Sequence, residues 1–200
     1  MEYIVNPSMR LVTGQFRLAW HRIDDSVLQA EASRGRGAVY VNKKKRCEVM
    51  AVETPGTLDM LYSPLSGFMA RGQQQWMRRM VRDAVIHTAE RILPDRLAAL
   101  EQKHGLKSSG LSITKLRKNV LGQCDSGKHI YLTPMIVIFP TKIMDEIILH
   151  EMAHLRQMNH GAKFWALLST LLGEDAKARD AKLNAFFGAY HPLFHYLMKP

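Results

Sequence analysis

Apolar and polar residues alternate through the first quarter of the chain and then shift to a helical spacing. Phe16, Leu18 and Trp20 alternate with Gln15, Arg17 and His21, the period of two expected of a half-buried strand. Residues 38–41 and 47–52 are further strand candidates between turns that carry glycine and lysine, so the first 53 residues predict a β-rich region. Pro55, Gly56, Pro64, Gly67 and Gly72 mark residues 54–72 as a connector. Beyond it, Trp76, Met77, Met80, Val81, Ala84, Val85, Thr88 and Ile92 recur at helical spacing. Pro94 then predicts a break or kink before a second helical stretch ending at Gly105. Residues 111–118 and 129–132 predict antiparallel strands around the Asp125-Ser126-Gly127 turn. Pro140 precedes an apolar helix over 141–157, with Ile143, Met144, Ile147, Ile148, Met152 and Leu155 at helical spacing. Two more helices follow, 162–172 stopped by Gly173 and 175–187 stopped by Gly188. The order predicts an α+β protein of two parts, a β-rich region over 1–71 and a second domain over 72–200.

Chemistry concentrates in one stretch of that second part. Residues 150 to 160 run His-Glu-Met-Ala-His-Leu-Arg-Gln-Met-Asn-His. His150 and His154 lie about 40° apart around a helix, one turn apart, so both imidazoles reach a single metal ion. Glu151 stands beside them, placed to hold an activated water rather than the metal. A catalytic zinc takes three protein ligands and leaves one position open. His160 supplies the third from beyond the helix end, and Asn159, which tolerates left-handed backbone angles, can turn it back. Glu174, 24 residues after His150, is the alternative third ligand. The competing reading is a pair of core histidines, but two imidazoles and a carboxyl group on an apolar helix are costly to bury without a partner, and a metal is one. Metzincins share the plus-four and plus-ten spacing but carry glycine where Gln157 stands, and need a methionine turn that is missing between Met158 and Met198.

The run His150-Glu151-Met152-Ala153-His154-Leu155, then Met158-Asn159-His160-Gly161, then Phe164-Trp165, resembles the YgjP-like bacterial metal-dependent hydrolases, relatives of the SprT/Spartan-type zincins. Gly122-Gln123-Cys124 and the strand through His129-Ile130-Tyr131-Leu132-Thr133-Pro134 resemble that family's Trp-Gly-Ser-Cys stretch and its following strand. Leu121 replaces the family's Trp and Gln123 its Ser. The resemblance spans roughly residues 73–173 and does not extend to the first 70. It implies a minimal zincin-like metallopeptidase domain over 72–200, built as helix, antiparallel hairpin, active-site helix and C-terminal helices.

From these residues the expected activity is zinc-dependent peptide-bond hydrolysis, with His150, His154 and His160 on Zn2+ and Glu151 as general base. An extended peptide or protein substrate is expected along the strand 129–132. Two alternatives stay open: a hydrolase of nucleotide phosphoanhydrides using the same groups, and a nucleic-acid-associated protein with a structural zinc. A purely structural site has no need of Glu151. For the developing oxyanion the candidates are Tyr131, Arg156, Tyr190, His191 and His195, among which the sequence does not choose. His191 and His195 are themselves four apart, but no acidic residue accompanies them.

Composition narrows the setting. No apolar run approaches the roughly 18 residues that span a membrane, and residues 1–10 lack a signal-peptide pattern, so a cytoplasmic protein without a membrane partner is expected. Cys47 and Cys124 are far apart and without metal-site spacing, which predicts reduced structural thiols. The net charge of +10 is uneven: residues 1–118 hold 20 basic and 11 acidic residues, the remainder 8 and 7. Lys43-Lys44-Lys45-Arg46, the Arg78, Arg79 and Arg82 group, and Lys115-Arg117-Lys118 carry the excess. Such clusters suit either a nucleic-acid partner or a solvated surface, and no nucleic-acid motif or interleaved aromatic accompanies them. Oligomeric state leaves no trace in the pattern.

Overall fold

The computed structural model describes residues 4–117 and 120–198, with the side chains of all these except Ala189 and His191. The chain is α+β, with two sheets and five α-helices among the described residues. It divides into two compact units, residues 1–85 and 86–200.

In the first unit, strands β1 (Leu11–Val12), β2 (Arg17–Arg22), β3 (Ala38–Val41), β4 (Cys47–Thr54) and β5 (Thr57–Tyr62) form a sheet in the order β1-β2-β5-β4-β3. Helix α1 (Asp25–Ser33) packs Leu28 onto Cys47 and Met50 of one face. Tyr40 on the other face meets Trp76, in the first half of helix α2 (Arg71–His104). Strand β5 lies inside the stretch expected to be a connector. Pro55-Gly56 is a tight hairpin turn, Gly56 taking the left-handed backbone (φ 78) that the turn's second position demands, and Leu58 and Met60 are buried by alternation.

In the second unit, α2 continues through Pro94 to His104, so of the expected break or kink the break does not occur. The proline removes one backbone donor, but Leu93, Leu97 and Leu100 stay buried on one face and the Arg96 guanidinium makes a two-pronged pair with Asp145. Strands β6 (Gly110–Ile113), β7 (Gly122–Cys124) and β8 (His129–Leu132) form a sheet in the order β6-β8-β7. Here the strand prediction fails in two respects: β6 stops at Ile113, short of the strand expected over 111–118 (Lys118 lies outside the described residues), and it runs parallel to β8, the antiparallel hairpin partner being the three-residue β7. The turn decides this. Asp125 accepts the backbone N–H groups of Lys128 and His129, at its carbonyl and its carboxylate, and Lys128 takes φ 63, which commits the residues just before Asp125 to β8 and leaves β6 the other edge. Strand β8 is therefore central, with both edges used, and cannot seat a substrate as expected.

Ile130, Leu132 and Cys124 bury one face of this sheet. A buried 3-10 turn, Pro134–Ile138, leads to α3 (Thr141–His154), which packs across that face. Helix α4 (Ala162–Leu172) ends on Gly173 at φ 74 as predicted. Helix α5 (Ala176–Leu197), capped by the Asp175 carboxylate, runs past Gly188, beyond its expected end. Packing overrides the glycine here, because Phe186, Phe187, Tyr190 and Phe194 of α5 all meet the fully buried Phe139 ring.

Candidate metal centre

Met144, Ile148 and Met152 anchor α3 in the core, which fixes the rotation of the helix and with it the placement of His150, Glu151 and His154. The helix ends at His154. The following turns are closed by Arg156 N–H to Ala153, Gln157 N–H to Ala153, and Gly161 N–H to Asn159 at 2.7 Å. This tight reversal returns His160 to the helix, and its Nε2 lies 3.0 Å from Nε2 of His150. One nitrogen from each of His150, His154 and His160 lies within 4.8 Å of the others. Tetrahedral ligands at a Zn–N distance of about 2.0–2.1 Å stand roughly 3.3 Å apart, so the three donors suit a zinc-sized ion.

The surroundings orient these donors. His154 Nδ1–H donates to the Gln157 carbonyl at 2.9 Å, which directs Nε2 to the cluster. The Phe164 ring, fully buried, lies 4.5–5.0 Å from all three imidazoles and forms the floor of the site. Burial, reinforced by His154 and His160, lowers the His150 pKa to about 4. Burial and His160 lower that of His154 as well, against the bond to Gln157. Neutral imidazoles with available lone pairs are the form a metal binds.

Glu151 follows His150 on α3. Its side chain lies against β7, where a Cβ placed on Gly122 would come within 2.6 Å of Glu151 Oε1 and Cγ. Burial raises the Glu151 pKa to about 8. Cys124, on the same face, is raised to about 11 by burial and by the nearby charges of Glu151 and Asp125, an unreactive thiol rather than a nucleophile.

Of the residues singled out from sequence, His150, His154 and His160 come together, and Glu151, next to His150 on α3, packs its side chain against Gly122 of β7. Glu174 does not join the group. It pairs with Lys142 at 3.0 Å and Arg179 at 3.7 Å. Tyr131 lies on the sheet face turned away from α3, its hydroxyl donating to Asp125. Tyr190 packs on Phe139 and Phe186. Arg156 and His195 are exposed, and the His191 side chain lies outside the described residues. Sequence reasoning assigned no role to Phe164 or to the Gln157 carbonyl. The floor ring had a signal in the aromatic pair at 164 and 165, but a main-chain acceptor has none.

The model of a family described as YgjP-like, metallopeptidase domain, matches residues 14–186. The match takes in most of the β-rich region, which corrects the expectation that the resemblance excludes the first 70 residues. No curated protein and no solved structure gives a match.

Proposed function

The chain belongs to the YgjP-like metallopeptidase family, and from that premise we propose that it is a zinc peptidase that uses Glu151 as general base. The observation that carries the reading is the buried Glu151 carboxyl group, wedged against Gly122 on the helix that also supplies two of three convergent imidazoles. A structural metal site has no use for it. His150, His154 and His160 would hold the metal, leaving a fourth position open; the ion supplies Lewis acidity and an activated water.

The chain's own groups do the rest. Glu151 accepts a proton from the attacking water as its oxygen bonds to the scissile carbonyl carbon. As the C–N bond breaks, the same carboxyl group returns that proton to the departing amine nitrogen. Burial, which raises the Glu151 pKa, makes its carboxylate a stronger proton acceptor for the first step.

The substrate seat moves from β8 to β7. Asp125 N–H bonds to His129 and Thr133 N–H to Leu121, so the odd-numbered residues of this ladder face β8. Gly122 and Cys124 accordingly direct their N–H and C=O groups to the outer side, where an extended chain can add as a further strand. Gly122 is also the residue against Glu151, which brings that chain to the base.

The test compares zinc-loaded protein on peptide libraries and on nucleoside triphosphates. Peptide cleavage that falls roughly 10²-fold or more in Glu151→Gln, with metal content kept, is expected. Triphosphate hydrolysis without peptide cleavage would replace the substrate assignment.

A further inference from the structure

The outer strand also bears on which peptides bind, an inference that rests on the peptidase reading above. Side chains alternate across a sheet, so Gly122 and Cys124 face α3 while Gln123 faces the opposite way. That opposite face is polar and its members touch one another. Tyr131 pairs with Gln123 in the ladder and donates its hydroxyl to Asp125 at 3.2 Å. His129 lies beside Tyr131, ring centroids 4.7 Å apart, and bonds Ser112 at 2.9 Å. Of this row, only Gln123 is both exposed and on the outer strand.

A chain added to β7 sets one of its residues directly opposite Gln123, with Cβ atoms about 4.5–5.5 Å apart, and the next residue on that face two positions along, toward Asp125. We propose that Gln123 and Asp125 form a side-chain selection site, favouring substrates with basic residues on the face turned away from α3 and disfavouring acidic ones. Gln123 is uncharged and accepts either sign. The bias comes from Asp125, whose carboxylate is held below the usual range by the His129 N–H, against its desolvation, and further by the Tyr131 hydroxyl. It therefore remains negative at neutral pH. The Gly-Gln-Cys backbone provides the affinity common to all peptides, and this row provides the choice among them.

The experiment uses the zinc-loaded full chain and a position-scanning peptide library in which one site carries Lys, Gln or Glu. Labelled peptides are also bound to the Glu151→Gln variant. The native protein should favour Lys over Glu at one position by about twofold to fivefold, with alternate positions responding and their neighbours indifferent. Gln123→Glu should widen the preference and Gln123→Lys should reverse it, both in cleavage and in binding, and salt should diminish each change. Cleavage with identical preferences in all three proteins would overturn the selection site and leave the peptidase reading standing. Neither cleavage nor binding of any peptide would overturn both.

Discussion

Gly122 shows how a single missing atom group can matter as much as a functional one. The Glu151 carboxyl group occupies the volume that any side chain at position 122 would fill, at 2.6 Å, a separation that no real contact sustains. Gly122→Ala must therefore push Glu151 aside or shift the strand. We expect metal content to be unchanged, because the nearest atoms the added group meets belong to Glu151 and not to an imidazole, while peptide hydrolysis falls on the order of 10- to 100-fold with the misplaced base. Equal activity in Gly122→Ala and the native protein would detach Glu151 from this position. The third ligand is decided at the same scale. His160→Ala should lose stoichiometric zinc by elemental analysis, whereas Glu174→Ala should retain it, since Glu174 is engaged with Lys142 and Arg179. The opposite result would move the ligand role to Glu174.

Elements carry the difference between what a sequence pattern exposes and what it hides. Helix α3 was legible because Met144, Ile148 and Met152 repeat along one face and the metal-binding spacing rides on the same period. Strand β8 emerged at its bounds because Ile130 and Leu132 alternate with His129 and Tyr131, and β3 at its bounds as a short apolar run between turns. Strand β5 hid behind Pro55-Gly56, since a hairpin turn and a linker share those residues. The parallel pairing of β6 with β8 was hidden more deeply, because strand direction is set by how the Asp125 turn uses its hydrogen bonds and not by periodicity. The C-terminal end of α2 shows how such local bonds add up. Gly105 takes φ 62 and Leu106 N–H returns to the Glu101 carbonyl, ending the helix. The buried Glu101 carboxylate then receives Ser108 N–H at 2.9 Å, its hydroxyl, and Lys107, tying the helix to the approach to β6. Burial pushes this carboxyl group upward, but the bonds from Lys107 and Ser108 outweigh it and the pKa is lowered. A lowered folded-state pKa contributes stability above the unfolded value, about 4.3, and that stability is lost as pH falls through the folded value. Glu101→Gln should therefore cost on the order of 1 kcal/mol in urea unfolding at neutral pH, with the two proteins converging as the pH falls through the lowered folded-state value. A gap independent of pH would assign the effect to packing.

For the whole molecule, the basic excess has a different meaning once the units are known. Residues 1–85 hold 13 basic and 8 acidic residues, and residues 86–200 hold 15 and 10, so each unit carries +5. The charge that seemed to belong to one end of the chain is evenly shared. Several members of the clusters are also spent within their own unit: Arg46 pairs with Asp25 and Arg82 with Asp83. Arg34, near the first cluster, pairs with Glu31. Lys43, Lys44 and Lys45 remain exposed together in the β3–β4 turn, Arg79, Lys115 and Arg117 are exposed as well, and Lys118 lies outside the described residues. Three turn lysines neutralise few phosphates, and affinity from counterion release scales with that number. We therefore expect labelled DNA, single- or double-stranded, to bind weakly at low salt and to lose measurable affinity at about 150 mM, where exposed charges are largely screened. A titration at two salt concentrations checks this against a variant with Lys43, Lys44 and Lys45 changed to Gln. Tight binding that survives about 150 mM salt and disappears in the variant would overturn the surface reading, and would make nucleic acid a partner that brings protein substrates to the metal centre.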